Sequence, residues 1–308
     1  MANMIAPEDL RELIRSGLLS FPITPFNYEN TFDQHAFAAH LEWLSPHKIA
    51  GLIVAGGTGE LFSLSPAEVI DVVKTARVSQ PSNPVIAGCG YGTRMACDMA
   101  QKIESAGGDG ILLLPHYLID APQDGIAAHI QAVCDSTQMG VIIYNRGNSV
   151  VSAETLEKLV EQCPNLIGFK DGTGDIDTVK QITVRLGARL AYIGGMPTHE
   201  LFAQAYRGAG IDTYSSAVFN FVPETALAFY TAFSKGDDIT CHALLRDFYY
   251  PFARIRDRKA GYAVSAIKAG VALRGFYTGP VRSPLTDLTE EECQMLKALI
   301  SSADNVRP

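Results

Sequence analysis

From Gly17 into the 210s, short apolar runs of strand length alternate with longer amphipathic segments. This is the pattern of βα units around a parallel sheet, whose strands are covered on both faces and therefore read as continuous hydrophobic runs. The runs occupy residues 18–23, 51–55, 85–88, 110–114, 141–144, 166–170, 190–194 and 211–215. The segments between them begin like helices. Ser65-Pro66-Ala67-Glu68 has the spacing of a capping box with proline at the first helical position, Ser152-Ala153-Glu154 opens another helix, and Asp33 is a cap for the segment through Trp43. Gly107-Gly108 and Gly187 mark helix ends.

Eight such repeats in about 200 residues predict an α/β fold of the (β/α)8 class, a TIM barrel. A doubly wound sheet is disfavoured because no GxGxxG follows the first run. Past the eighth unit the strand signal stops, and residues 239–255, 262–273 and 289–301 read as helices. The expected organisation is a barrel with a short N-terminal helix over residues 1–230, and a C-terminal helical appendage over 231–308 packed on it. No Pro- or Ser-rich linker separates the two.

Composition narrows the function classes. Of 308 residues, 47% are hydrophobic and 19% charged, the balance of a well-packed globular chain rather than a disordered one. The formal net charge of -8 argues against nucleic acid or an acidic membrane surface as partner, since both select clustered Lys and Arg. Small anionic substrates remain compatible, because they need only a few local donors. The six cysteines form no CxxC pair and have no histidine at zinc spacing, so they read as buried thiols in a reducing compartment, with no metal site. There is no signal-peptide pattern and no apolar stretch of membrane-spanning length, which makes the cytoplasm the expected location.

In a barrel of this class, chemistry sits at the C-terminal ends of the strands. That rule selects Thr24-Pro25-Phe26, Gly56-Gly57-Thr58-Gly59-Glu60, Pro115-His116-Tyr117, Tyr144-Asn145-Arg146, Lys170, Gly194-Gly195-Met196 and Ser215-Ser216. Lys170 closes the run Leu166-Ile167-Gly168-Phe169, and a lysine at the buried end of a core strand must be stabilised or used. The plain alternative is the first solvated residue after the strand. Tyr144 ends the preceding strand, within reach of Lys170, because neighbouring strands lie about 4.8 Å apart. A lysine that forms a carbinolamine needs a proton shuttle beside it, and tyrosine provides one without a second permanent charge. Gly57, Thr58 and Gly59 can cradle a carboxylate with backbone N–H groups, and the stretch lacks the Lys-Ser/Thr ending of a triphosphate loop. Arg146 is a candidate carboxylate clamp.

Gly56-Gly57-Thr58-Gly59-Glu60, Tyr144-Asn145 and Gly168-Phe169-Lys170-Asp171, in this order and spacing, resemble the dihydrodipicolinate synthase / N-acetylneuraminate lyase family. The resemblance covers nearly the whole chain. It implies a (β/α)8 barrel with a C-terminal helical region, an imine at Lys170, a proton shuttle at Tyr144, and a carboxylate held at Gly57, Thr58 and Gly59. Asn145, Arg146, Gly195, Ser215 and Ser216 complete the implied substrate contacts. No external cofactor is implied, and a homo-oligomer, a dimer of dimers, is. Aldolase-type members usually read Gly-Thr-Thr-Gly-Glu, and Gly57 stands where their first threonine links the site tyrosine to a tyrosine of the neighbouring subunit. Tyr117 matches the position of that partner tyrosine, as a relay or interface residue. The departure at Gly57 moves the expectation from pyruvate condensation toward a Schiff-base lyase that dehydrates and decarboxylates a small dicarboxylic sugar acid in sugar-acid catabolism. A pyruvate-dependent aldolase or synthase, and a non-catalytic barrel that binds a sugar acid, are the alternatives.

Overall fold

Each of the eight apolar runs becomes a strand in the computed structural model, which describes residues 4–116 and 119–305. The strands are β1 (Leu19–Ser20), β2 (Gly51–Val54), β3 (Val85–Cys89), β4 (Gly110–Leu113), β5 (Gly140–Asn145), β6 (Leu166–Asp171), β7 (Ala191–Gly194) and β8 (Thr213–Ser216). All pair in parallel and in sequence order, and β8 returns to β1 to close the barrel. The expected TIM barrel is therefore what forms. β1 is shorter than the apolar run that contains it. Pro22 has no N–H to give the ladder, and the next donor, Ile23 N, bonds instead to Asn220 Oδ1 at 3.2 Å.

Two faces of apolar side chains hold the sheet. Leu19, Phe21, Ile53, Ile86, Leu112, Ile142, Ala191 and Ile193 fill the barrel interior together with Leu10 and Ile14. These last two belong to helix Pro7–Ile14, which packs against β5, β6 and β7 and closes the end opposite the candidate site. Side chains of opposite parity, such as Val54, Ala87, Ile111, Val141, Ile143 and Phe169, pack outward against the surrounding helices. Those helices start as their sequences require. The Ser65/Glu68 capping box is complete, Asp33 accepts from Ala36 N and Ser152 accepts from Thr155 N.

Helix Pro223–Lys235 runs unbroken through residue 230 and ends at Gly236, which has φ 73°. Residues 230 and 231, where the expected boundary divides barrel from appendage, both lie in this helix. The appendage consists of Asp238–Leu244, a wider π-turn at Leu245–Tyr249, Tyr250–Arg256, Tyr262–Leu273 and Glu290–Asn305. The wide turn ends two residues before Pro251, which cannot donate back along a regular helix. Phe248, Tyr249, Phe252 and Val271 of the appendage share one apolar cluster with Leu18, Ile23 and Tyr214 of the barrel. Among the described residues, no helix is long and apolar enough to cross a membrane.

Candidate active site

The inward orientation of Lys170 depends on a bulge in β6. Val141 of β5 pairs with Leu166, but the next residue, Ile142, pairs with Gly168, so Ile167 is inserted without a partner of its own. Such a bulge shifts the alternation of side chains by one. Phe169 consequently packs outward among the helices, and Lys170 faces inward opposite its register partner Tyr144. Glycine is required at 168, where a Cβ would lie 2.9 Å from the Ile142 side chain.

The Lys170 amine lies 4.0 Å from the centroid of the Tyr144 ring and 5.0 Å from that of Phe21. It is only 2% exposed. Burial pushes its pKa below the usual lysine value, with Arg146 adding to the effect, while Tyr144 and Asp171 oppose it. Burial would raise the Tyr144 phenol, but the cations of Lys170 and Arg146 outweigh it and bring the pKa below the ordinary tyrosine value. Both shifts run downward: burial favours the neutral amine, and the two cations favour release of the phenolic proton. The Tyr144 hydroxyl donates to Gly195 O at 2.7 Å and accepts from Arg146 Nη1 at 2.9 Å. Burial, and secondarily Lys170, hold the neighbouring His199 down to about 3, so its imidazole is neutral.

Lys170 and Tyr144 open into a cavity of about 430 Å³, whose walls include Gly57, Thr58, Arg146, Gly195 and Ser215. Seven of the residues expected from sequence are thus brought together. Three are not. Asn145 is buried on the other side of β5, where its amide nitrogen donates to Asp171 Oδ1 at 3.0 Å and its oxygen accepts from Val151 N at 2.8 Å. Ser216 has the opposite parity to Ser215 and donates to the buried Glu200 at 2.6 Å. Gly59 is packed against Ala55 and Pro22, and its carbonyl accepts from Thr24 Oγ1 at 2.7 Å. Residues one step along a strand look to opposite faces, so a run of polar residues cannot all line one cavity. Tyr117 lies outside the described residues.

Asp171 follows the lysine but organises the turn rather than the cavity. Its carboxylate accepts from Asn145, from Thr173 N and Oγ1, from Gly174 N and from Tyr206 OH, the last at 2.6 Å. Glu60, which ends the glycine-rich stretch, is also structural. It adopts a left-handed conformation at φ 58°, and its buried carboxylate meets Lys268 Nζ at 2.8 Å and Arg282 N at 3.1 Å. Through this pair, helix Tyr262–Leu273 of the appendage anchors the loop that carries Gly57 and Thr58.

The dihydrodipicolinate synthetase family model matches residues 15–303. The chain belongs to this family. Among family members, a protein of Cereibacter sphaeroides named "Probable 5-dehydro-4-deoxyglucarate dehydratase" is 57% identical over 96% of this chain and 98% of its own length. One of the same name from Rhizobium meliloti is 57% identical over 97% and 99%. Solved structures agree on the fold. The dihydrodipicolinate synthase of Bacillus clausii superposes with a TM-score of 0.87 at 23% identity, covering 96% of this chain and 99% of that one. The 4-hydroxy-tetrahydrodipicolinate synthase of Methylacidiphilum fumariolicum gives 0.83 at 26%, covering 94% and 96%.

In this member of the family the cavity has a wall that sequence patterning did not indicate. Phe252, Arg256, Ala263, Val264 and Ile267 reach it from the appendage, and Pro197 and Thr198 from the turn after β7, just past the Met196 that the strand-end rule selects. The appendage residues carry no local signal, because only the chain's return across the barrel mouth brings them there. Thr198 could have been suspected as a polar residue shortly after a strand end.

Proposed function

We propose that the protein is a Schiff-base lyase converting 5-dehydro-4-deoxyglucarate to 2,5-dioxopentanoate, water and carbon dioxide. The observation that carries the chemistry is the buried, inward-facing Lys170 amine beside the Tyr144 phenol. The substrate is suggested by the names of relatives more than half identical over nearly their full length. The neutral amine attacks the C5 ketone, and Tyr144 carries protons between nitrogen and the carbonyl oxygen, which departs as water to leave an iminium. The iminium acidifies C4. Loss of a C4 proton forms an enamine whose electron pair expels the C3 hydroxyl, protonated as it leaves, as water. The conjugated iminium that results is the electron sink for departure of C6 as carbon dioxide, and a proton takes its place at C5. Transfer of the C2 and hydroxyl protons to C4 and C3 turns the C2 carbinol into a ketone, and hydrolysis of the imine returns Lys170. One water and one carbon dioxide leave overall, and no oxidant, metal or organic cofactor enters the route.

Backbone groups at Gly57 and Thr58 are suited to the carboxylate beside the ketone. A Cβ at Gly57 would meet nothing within 4 Å, so the space that a threonine would occupy is left open to a six-carbon acid. Incubation with 5-dehydro-4-deoxyglucarate and borohydride should add mass to the peptide carrying Lys170, and without borohydride carbon dioxide should appear in step with 2,5-dioxopentanoate. Release of pyruvate and an aldehyde would instead identify an aldolase. Ligand affinity that survives Lys170→Ala, with no trapped adduct in the unsubstituted protein, would identify a binding protein.

A further inference from the structure

The charged residues of the cavity wall are Lys170, Arg146 and Arg256, all cationic, although the protein as a whole carries a net charge of -8. Arg146 is engaged with the Tyr144 hydroxyl at 2.9 Å, beside the reacting lysine. Arg256 comes from the last turn of helix Tyr250–Arg256 and has a side chain only 11% exposed. Its Nη1 donates to Pro197 O at 3.0 Å and to Thr198 Oγ1 at 2.5 Å. Its other edge meets Asp257, at 2.8 and 2.9 Å, leaving one guanidinium N–H uncommitted among the described residues.

Thr198 is a β-branched residue at φ 50°, a conformation that costs on the order of 1–3 kcal/mol and persists where surrounding contacts impose it. The Arg256 hydrogen bonds are such contacts. The Thr198 hydroxyl accepts from Arg256 and, among the described residues, donates to no group, as is also true of the cavity-lining Ser215 hydroxyl. A strained hydroxyl, a second free hydroxyl and a permanent cation therefore face one wall of the cavity, with no acidic residue among the cavity-lining residues. The Asp257 carboxylate is 62% exposed and makes the kind of surface ion pair that can be exchanged at little cost.

We propose that Arg256 and Thr198 form a subsite for the carboxylate at the end of the substrate remote from the imine, so that the C-terminal appendage selects dicarboxylic over monocarboxylic keto acids. This rests on the reading of Lys170 as the imine-forming residue, but not on the dehydration that follows. An arginine N–H and a hydroxyl can hold one carboxylate by charge-assisted hydrogen bonds, and a terminal methyl or hydroxymethyl group would leave both unmatched.

The test uses borohydride trapping at Lys170 with 2-oxoadipate, which has a carboxylate at each end of a six-carbon chain, and with 2-oxohexanoate, which lacks the remote one. The unsubstituted protein should reach half-maximal trapping with 2-oxoadipate at a concentration at least about tenfold lower. Arg256→Gln should remove that preference by raising the 2-oxoadipate concentration about ten- to a hundredfold while leaving 2-oxohexanoate within about threefold. Thr198→Val, which keeps the shape and loses the hydroxyl, should lower the preference in the same direction, and Arg256→Lys should retain part of it. Equal shifts for both acids in Arg256→Gln and Thr198→Val would mean that these residues only support the β7 turn, and no shift for either would remove them from recognition altogether. Either result overturns the subsite. Loss of the preference in a protein that releases no carbon dioxide from 5-dehydro-4-deoxyglucarate would uphold the subsite and refute the dehydratase. Failure of the unsubstituted protein to trap either acid would refute the imine at Lys170 and the subsite with it.

Discussion

Replacing Lys268 by methionine should destabilise the protein and loosen the loop that receives the substrate carboxylate. Lys268 is 2% exposed and Glu60 fully buried, and their charged atoms are 2.8 Å apart. The lysine also donates to Pro280 O at 2.8 Å, and its ammonium lies 3.9 Å from the Phe26 ring centroid. Burial pushes the lysine pKa below its usual value, and Glu60 opposes that shift. With the lysine gone, the Glu60 carboxylate keeps the Arg282 N–H at 3.1 Å and a distant Ser63 hydroxyl at 3.5 Å, too little for an ion in an apolar surround. Breaking a buried pair in this way costs about 3–5 kcal/mol, a large part of the roughly 5–15 kcal/mol that holds a typical domain folded. The Glu60→Gln/Lys268→Met double variant removes both charges and should recover at least about 2 kcal/mol of the loss. Urea denaturation of the unsubstituted protein, both single variants and the double variant closes the cycle, and KM in the same four proteins reports on the loop. The reasoning fails if Lys268→Met costs less than about 1 kcal/mol, or if the double variant loses the sum of the two single losses.

Other substitutions probe the site and its surroundings. Gly195→Ala would bring a Cβ to 2.6 Å from Asp171 O and 2.7 Å from Lys170 Nζ, so kcat/KM should fall at least about a hundredfold; a fall of less than tenfold would show that Lys170 has room to move. Arg146→Ala removes a cation that lowers both Lys170 and Tyr144, so both pKa values should rise. Because the free amine attacks, the rising limb of the kcat/KM pH profile should move to higher pH, and an unmoved limb would place Arg146 outside this coupling. Glu200 is buried with one oxygen bonded to Ser216 and the other unpartnered among the described residues, and burial raises its pKa to about 7. A carboxyl whose pKa is raised on folding contributes stability that is full below its unfolded value and lost as pH rises through the folded one. Stability should therefore decline between about pH 4.5 and 7 by on the order of 3 kcal/mol, and Glu200→Gln should abolish that decline in urea titrations. An identical pH dependence in the two proteins would mean that Glu200 is charged in the fold.

The strands were legible because each is buried on both faces and bounded by polar segments, and the counted order placed Tyr144 and Lys170 on neighbouring strands. Their meeting followed from that order, but the bulge that sets their register was not legible. Nothing in Leu166-Ile167-Gly168 marks Ile167 as surplus, since the pairing that makes it so belongs to β5. Asn145 and Ser216 were assigned to the cavity because they adjoin residues that do line it, and strand alternation turned them away. The appendage was recognisable as helices, but its Arg256 could not be placed over the barrel mouth from spacing, because that contact spans 58 residues to Thr198. Glu60 and Lys268, which are 208 residues apart, were hidden for the same reason.

The extra residue in β6 also bears on how such a site can persist. The strand works like a reading frame of period two, Ile167 is an insertion in it, and the bulge restores the frame. Deleting the codon for Ile167 would leave Leu166 opposite Val141 and Gly168 opposite Ile142, so that Phe169 still faces outward and Lys170 still faces Tyr144. Keeping Ile167 while drawing the bulge out into a regular strand is the change that would turn Phe169 toward Tyr144 and Lys170 toward the helices. On this scaffold a strand can thus take up an extra residue below the site without moving the nucleophile above it.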